Sequence, residues 1–333
     1  MAPALGLRVH LTAAFCDERL EDVLRLESGE EGALAVLALN TRGKPERPHW
    51  SALPSAPPSA EAVSDSGSDA AADTDAHPSD DADDAVGRAP MLLALHRASR
   101  LPPERPRLAA AGDLAEGLEA RYGWTGGVSL IEDVPARGSS RWPLAHDPFE
   151  AILRRRSTRR FQRGQMRRAQ LARILAAAYA PENIGLSEQP SLDRSHLMTF
   201  IAVLSVEGFE PGVYYLAPHG LEMRLVRPGC APEAVQYLCL GQELGGDATA
   251  VVFHTADLAD AVRAFGDRAY RYLHLDAGLL GERLDLAALS EGCGASGIGG
   301  FFDDQVTDLL GIPREQAVVY ITTLGLPAGS VEE

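Results

Sequence analysis

The chain has 333 residues, of which 45% are hydrophobic and 23% charged, a composition typical of a protein with a sizeable buried core. Its formal net charge is −16, but nine acidic residues and no Lys or Arg lie between Glu61 and Asp84, and without those nine acids the charge is −7. So mild a residual charge argues against nucleic-acid binding as the main task of the protein.

The first 89 residues are predicted to form a small N-terminal segment, 1–45, and a linker, 46–89. The N-terminal segment predicts a strand at Leu7–Leu11, a helix at Glu18–Leu26 and a helix or strand at Gly32–Leu39. The linker is rich in Ala, Ser, Pro and Asp, and such a sequence cannot bury enough apolar surface to offset its chain entropy. We therefore predict that the linker is disordered and that removal of residues 1–88 leaves a folded core.

Residues 90–330 are predicted to form one domain. Order resumes at Met91, and the Pro- and Gly-rich residues 100–145 predict a long excursion over a surface. A helix is then predicted over Phe149–Arg156, because Asp147 and Pro148 before it are typical of a helix start. A second helix is predicted at Arg168–Ala178, where apolar residues recur at helical spacing, namely Leu171, Ile174, Leu175 and Ala178.

The remaining chain predicts strands and helices in turn. The predicted strands are His196–Val206, Gly212–Leu216, Leu221–Val226, Ala248–His254 and Ala317–Leu324, and the predicted helices are Ala231–Leu240, Asp267–Leu289 and Asp304–Leu310. The last helix is expected to be capped by Asp303 or Asp304. Helices and antiparallel-like strands in this mixture indicate the α+β class.

Two stretches of this domain have the composition of a binding site. Residues 154–160 place several Arg side chains beside Ser157, which makes a good receptor for a phosphate or an electron-rich ring edge. The Gly-rich residues 292–301 predict a tight connection whose backbone N–H groups can approach a ligand closely. The alternatives are a solvated basic helix face and a purely structural connection.

Other site classes are not indicated. The four cysteines, at positions 16, 230, 239 and 293, are scattered without metal-ligand spacing, so we expect reduced thiols in a cytoplasmic protein and no metal site. The N-terminus lacks the pattern of a signal peptide, and no run of eighteen apolar residues predicts a membrane span.

Taken in order, five sequence pieces resemble the nitroreductase-like flavoprotein superfamily. They are Arg-Arg-Ser-Thr-Arg-Arg-Phe at 155–161, the pair Pro190-Ser191, Gly-Val-Tyr-Tyr at 212–215, Tyr-Arg-Tyr at 270–272, and Gly-Ile-Gly-Gly-Phe-Phe-Asp-Asp at 297–304. Within this superfamily the chain is most similar to the azoline dehydrogenases of thiazole- and oxazole-modified peptide pathways. Leu95–Ser99 and Arg268–Gly278 look like two of their segments. The resemblance covers about 91–328.

The resemblance implies an intertwined homodimer with a mixed or antiparallel central sheet flanked by helices, and FMN at the subunit interface. The residues that match flavin-contacting positions of the family are Arg155, Arg156, Ser157, Arg159, Pro190, Ser191, Gly299 and Gly300. The implied chemistry is hydride transfer between a substrate carbon and flavin N5 in natural-product or modified-peptide biosynthesis. A precursor peptide or a biosynthetic partner protein is then a further expected partner.

One departure from the azoline dehydrogenases keeps other functions open. Ala264-Phe265 stands where those enzymes carry a Lys-Tyr pair, so neither residue can transfer a proton. Tyr270 and Tyr272 are the nearby candidates for that catalytic role. The alternatives are a generalist NAD(P)H-dependent reductase of nitro or quinone compounds, and a non-catalytic partner subunit of a biosynthetic complex.

Overall fold

A computed structural model describes residues 8–12, 15–26, 32–40, 91, 93–101, 127–134, 148–179, 196–217 and 221–329. The linker predicted at 46–89 and the pair Pro190-Ser191 lie outside these residues. None of the helices among these residues combines the length and the hydropathy that a membrane span requires.

The described chain alternates helices with strands. The strands are β1 (Arg8–Thr12), β2 (Val36–Asn40), β3 (Val128–Ser129), β4 (Phe161–Gln162), β5 (Met198–Val203), β6 (Gly212–Ala217), β7 (Glu222–Pro228), β8 (Ala250–Asp257), β9 (Gly294–Ile298) and β10 (Gln316–Pro327). The helices are α1 (Asp17–Leu24), α2 (Pro148–Arg154), α3 (Arg168–Tyr179), α4 (Pro232–Leu238), α5 (Glu243–Gly246), α6 (Leu258–Phe265), α7 (Ala269–Ser290) and α8 (Asp303–Leu310). Residues 93–98 are also helical. This mixture confirms the α+β class.

The central sheet has eight strands in the order β3-β7-β6-β5-β8-β10-β4, with β9 also paired to β10. Every pairing between these strands is antiparallel, as in Ile321 opposite Ile298 and Phe253. One sheet face packs on α3 and α7, and the other packs on α4 and α8. Because both faces are covered by helices, β5 and β6 are buried along their whole length, and their sequences are accordingly apolar.

Helix α7 is the central helix, 22 residues and about 33 Å long. The long helix predicted at Asp267–Leu289 is therefore confirmed, although a turn of 3-10 helix at Gly266–Arg268 precedes it. Helix α6 before it is capped by Asp257, which accepts a hydrogen bond from the Asp260 N–H at 3.0 Å. Gly292 ends the segment with a φ of 67°, a conformation that favours glycine.

Several predicted elements differ from the structure. The Gly-rich connection is in part a strand, since 294–298 form β9, whose small residues leave room for side chains packed against it. The helix predicted at Ala231–Leu240 ends early, because Leu240 and Gly241 both adopt positive φ. Helix α8 has Phe302 at its N-cap with no side-chain hydrogen bond, so the predicted Asp cap is wrong.

The N-terminal segment packs on the start of α7 through buried charges. Arg268 donates from Nη1 to Asp17 Oδ2 at 2.5 Å and to the Ser99 carbonyl at 3.0 Å, and the Asp17 and Arg268 side chains are each 1% exposed. Arg271 donates to Ser99 Oγ at 2.7 Å and contacts His96 Nδ1 at 2.8 Å. The ion pair between Asp17 and Arg268 joins the N-terminal segment to the larger domain.

Candidate functional site

The Arg-rich segment, residues 154–160, begins at the end of helix α2 and runs beside strand β9. The Thr158 N–H donates to the Ala295 carbonyl at 2.8 Å, and the Ala328 N–H donates to the Arg160 carbonyl at 3.0 Å. Gly294 makes the first contact possible, because a Cβ there would overlap the Thr158 side chain. The backbone of the motif is therefore held against the sheet by strands that lie far along the chain.

Three predicted cofactor residues, Arg156, Ser157 and Arg159, sit together on this segment with donors available. Arg156 is exposed and uses Nη1 to bond the carbonyls of Leu153 at 2.7 Å and Arg155 at 2.9 Å. A guanidinium has five N–H donors, so it retains others. Among the described residues, neither Ser157 nor the exposed Arg159 has a side-chain partner. These side chains can bind an anion without first breaking an ion pair.

Arg155 is placed differently from its three neighbours. Its guanidinium faces helix α7, where Nη1 lies 3.1 Å from Asp285 Oδ2 and Nε lies 3.5 Å from Glu282 Oε1. Burial raises the pKa of Asp285 to about 6. The charge of Arg155 opposes this rise, and the charge of Glu282 adds to it. Arg155 thus compensates a buried carboxylate in this structure, so an anion would compete with two acids for it.

Gly299 and Gly300 follow directly after β9. A Cβ built on Gly299 meets nothing within 4 Å, whereas one on Gly300 would lie 2.9 Å from Leu240 Cδ1. Gly299 therefore borders open space in which a flat group could reach the backbone. The Arg-rich segment contacts β9 at Ala295, near the start of the strand, and Gly299 follows the end of the strand. At about 3.3 Å per residue this strand is short, so the two features lie near each other.

The residues of this site fit both the phosphate and the ring of FMN. A phosphate prefers guanidinium and hydroxyl donors, which Arg156, Ser157 and Arg159 supply. A flavin ring needs close backbone approach, which Gly299 permits. Arg155 does not fit as a free phosphate ligand, because Asp285 and Glu282 already pair with it. Within the described chain, no group of three or more His, Cys, Asp or Glu residues is placed to hold a metal ion.

The two tyrosines predicted for proton transfer lie at the other end of α7. Tyr272 is buried and packs edge-to-face on Phe265, and Tyr270 packs on His274. Thirteen helical residues separate Tyr272 from Asp285, which is about 20 Å. Within one chain the structure therefore does not bring these tyrosines to the Arg-rich segment.

Sequence reasoning missed two titratable residues that the fold does bring to this segment, Asp285 and Tyr320. Asp285 is a lone acid in the apolar run Leu284–Leu289, a signal that could have marked it as a buried charge. Tyr320 is one aromatic residue in an apolar strand, and its sequence alone carries no such signal.

Comparison with known proteins agrees with the fold. A model of the Nitroreductase family matches residues 152–326, more than half of the chain. A protein named as a nitroreductase from Methanocaldococcus jannaschii is 27% identical over 165 residues, which are 49% of this chain and 83% of the relative.

One solved structure extends the similarity to the N-terminal segment. A crystal structure described as a nitroreductase from Anabaena variabilis is 35% identical, with a TM-score of 0.72 over 98% of this chain. The chain spans only 62% of the length of that protein. A chain of the Escherichia coli microcin synthetase complex is 16% identical, with a TM-score of 0.46, over 68% of this chain and 85% of its own. On its fold and its matching sequence, the chain belongs to the nitroreductase family.

Proposed function

We propose that this protein is an FMN-dependent oxidoreductase whose cofactor lies along strand β9. The observation that carries the proposal joins the two ends of that strand: Arg159 and Ser157, whose side chains have no partner among the described residues, lie at one end, and open backbone at Gly299 lies at the other. Bound FMN would supply hydride acceptance and donation at its N5. The chain's own residues bind and orient it.

Each part of the site has a separate task in this proposal. Arg156, Ser157 and Arg159 bind the phosphate by charge-assisted hydrogen bonds, which are stronger than neutral ones. Gly299 and Gly300 present backbone N–H groups to the edge of the ring, where negative charge develops on reduction. Arg155 holds the end of α2 against α7 and so fixes the direction of the segment that follows. Pro190 and Ser191 remain proposed contacts from a further loop.

The assembly we propose is the intertwined homodimer that the resemblance to the flavoprotein superfamily implies. The space beside Gly299 is open in one chain, so a second copy could complete the walls of the site. A substrate would then enter between two subunits. Sedimentation equilibrium of the full chain tests this arrangement, and a monomer that still binds FMN would contradict it.

A second candidate function is oxidation of a heterocycle in modified-peptide biosynthesis. It is favoured by the contact of Arg271 with His96 and Ser99, because this contact joins the two segments that resemble azoline dehydrogenases. It predicts that a thiazoline peptide loses two mass units on incubation with the protein. Unchanged peptide mass with a flavin-loaded protein contradicts this candidate and leaves the broader proposal standing.

The main proposal is tested by measuring whether the purified protein carries a flavin, which would colour it yellow. We expect a yellow protein that releases FMN, and not FAD, on denaturation. Protein purified without colour is titrated with FMN while flavin fluorescence is followed. A preparation that neither carries nor takes up FMN would refute the enzyme proposal and favour a non-catalytic partner subunit.

A further inference from the structure

Asp285 of helix α7 faces the Arg-rich segment and is joined to it through Arg155. The Arg155 Nη1 atom donates to Asp285 Oδ2 at 3.1 Å, and the Asp285 side chain is only 14% exposed. Arg155 is the more open partner, with 29% of its side chain exposed. The ion pair therefore couples a largely buried acid to a guanidinium that reaches solvent.

The groups around Asp285 leave its charge balanced by Arg155. On α7 itself, the half-exposed Glu282 repels the Asp285 carboxylate. On strand β10, burial raises the pKa of Tyr320, so this phenol stays neutral at neutral pH. Strand β9 carries no titratable side chain. Helix α3 also packs on α7, and its arginines pair elsewhere, namely Arg168 with Asp133 and Arg173 with Glu291.

Asp285 changes its charge between pH 5 and pH 8. Burial raises its pKa to about 6, against the opposing charge of Arg155. Above this value the carboxylate holds the guanidinium, and below it the carboxyl group is neutral and that attraction is lost. Arg155 then keeps only Glu282, at 3.5 Å, and so exposed a pair contributes little. Acidification therefore frees Arg155.

The freed guanidinium is close to the donors that we assign to the phosphate. Arg155 stands directly before Arg156 and Ser157 in the chain. Its backbone N–H donates to the Ala151 carbonyl at 2.9 Å, so the backbone is held and the long side chain alone can turn. A guanidinium offers five N–H donors and can bind a phosphate through two of them. Arg155 can thus join Arg156 and Arg159 as a further anion ligand.

We propose that Asp285 and a bound phosphate compete for Arg155, so that the Arg-rich segment takes up a proton when it binds an anion and binds that anion more tightly at acidic pH. This inference rests on the proposed function and adds a pH-dependent regulation to its phosphate site. By reciprocity the anion stabilises the protonated form of Asp285, because it removes Arg155 from the carboxylate. The proton comes from solvent and no covalent bond to the anion forms.

The choice of anion decides whether the effect can be measured. A phosphate monoester gains negative charge as pH rises through about 6, which favours its binding to arginine at higher pH. This trend opposes the one expected from Asp285. Sulfate keeps two negative charges between pH 5 and pH 8, so it reports the contribution of the protein alone. Sulfate is therefore the probe.

The test measures the affinity of the full chain, freed of any bound flavin, for sulfate at pH 5 and at pH 8. The melting temperature is followed as sulfate replaces chloride at constant ionic strength, and the stabilisation gives the dissociation constant. The variants are Asp285→Asn and Arg155→Ala. The matched control is Asp247→Asn, which removes an acid paired with Arg163 at 2.9 Å, outside the Arg-rich segment.

We expect the wild-type dissociation constant for sulfate to be about tenfold lower at pH 5 than at pH 8. Asp285→Asn should bind sulfate at both pH values as tightly as the wild type does at pH 5, because nothing charged at position 285 competes for Arg155. Arg155→Ala should bind sulfate weakly at both, and Asp247→Asn should keep the wild-type difference. Melting curves without sulfate show which variants fold. Asp285→Asn keeps an oxygen acceptor for Arg155, so it decides the test if Arg155→Ala does not fold.

Three results would overturn the inference. They are a wild-type affinity that does not change with pH, no binding of sulfate at either pH, and a pH difference that persists in Asp285→Asn, which would assign the titration to another group. Fluorescence titration with FMN tests the proposed function separately. A protein that binds FMN without the acid-linked sulfate site keeps the proposed function and loses the inference. Acid-favoured sulfate binding without uptake of FMN supports the competition for Arg155 and refutes the flavoenzyme proposal.

Discussion

Arg268 and Asp17, which lie 251 residues apart in sequence, form a buried ion pair between the start of α7 and helix α1. Asp17 also accepts from the Leu101 N–H at 2.8 Å, and the Arg268 guanidinium lies 4.5 Å from the Phe15 ring centroid. Burial pulls the pKa of Asp17 upward, but the hydrogen bond from Arg268 and the charges of Arg268 and Arg271 hold it below its usual value. The carboxylate is therefore ionised and fully engaged.

Replacement of Asp17 by Ala should destabilise the protein by about 3–5 kcal/mol, because Arg268 would remain buried without its counterion. The measurement is urea denaturation at pH 7, with Asp22→Ala, an exposed acid of the same helix, as control. A change no larger than that of the control would show that the N-terminal segment contributes little. The same reasoning predicts that removal of residues 1–88 destabilises the domain, contrary to the expectation from sequence.

The two arginines Arg155 and Arg159 should behave differently when each is replaced by Ala. Arg159→Ala should weaken FMN binding by about ten- to a hundredfold, the loss of one charge-assisted contact, without changing stability. Arg155→Ala should lower stability at pH 8 more than at pH 5, because protonated Asp285 needs no counterion. Arg163→Ala, which breaks only the exposed pair with Asp247, is the control. Equal losses of FMN in the first two variants would contradict this division.

Asp285 should make stability depend on pH. Its folded-state pKa of about 6 lies above the ordinary aspartate value of 3.8. Its contribution is therefore fully present below about pH 4 and is lost as pH rises through 6. Asp285→Asn, which is neutral at every pH, should be more stable than wild type by about 1–2 kcal/mol at pH 8 after allowance for solvent screening, and equal to it at pH 4. Parallel pH profiles of the two proteins would disprove the raised pKa.

Two glycine variants should separate binding from folding. Gly299→Ala should leave the melting temperature unchanged, because its Cβ meets nothing within 4 Å. It should weaken FMN binding about tenfold, because the methyl group would occupy the space beside the backbone that the ring needs. Gly297→Ala should instead destabilise the protein by about 1–3 kcal/mol, because its Cβ overlaps the Tyr320 hydroxyl. Thermal unfolding and FMN fluorescence titration distinguish the two outcomes. Normal FMN affinity in Gly299→Ala would place the ring elsewhere.

Most elements of the domain could be predicted because their sequence patterns are local. The apolar spacing from Leu171 to Ala178 gave α3, and the buried run near Val251 gave β8. The strand β9 could not be predicted in this way, since Gly294–Ile298 has little strand propensity. It forms because β10 pairs along it and because Tyr320 and Thr158 need small neighbours.

The candidate site was predictable only in part. Arg156, Ser157 and Arg159 stand in one short motif, so their proximity followed from sequence. The partners of Arg155 did not, because Glu282 and Asp285 lie about 130 residues away and meet it only through the packing of α2 on α7. Tyr270 was favoured as an acid or base by its nearness in sequence to the missing Lys-Tyr pair, but the structure leaves it at the other end of α7.

Strand β10 follows all of its pairing partners in the chain. Its two edges pair with β8 and β9, and its end pairs with β4. Among the described residues, β4 and β9 pair with no strand other than β10, and Ala328 just after β10 bonds the Arg160 carbonyl of the Arg-rich segment. A chain cut before Gln316 would expose several unpaired strand edges at once, which favours aggregation over a partly folded state. Strand β10 therefore both covers the edges of its neighbouring strands and supports the Arg-rich segment.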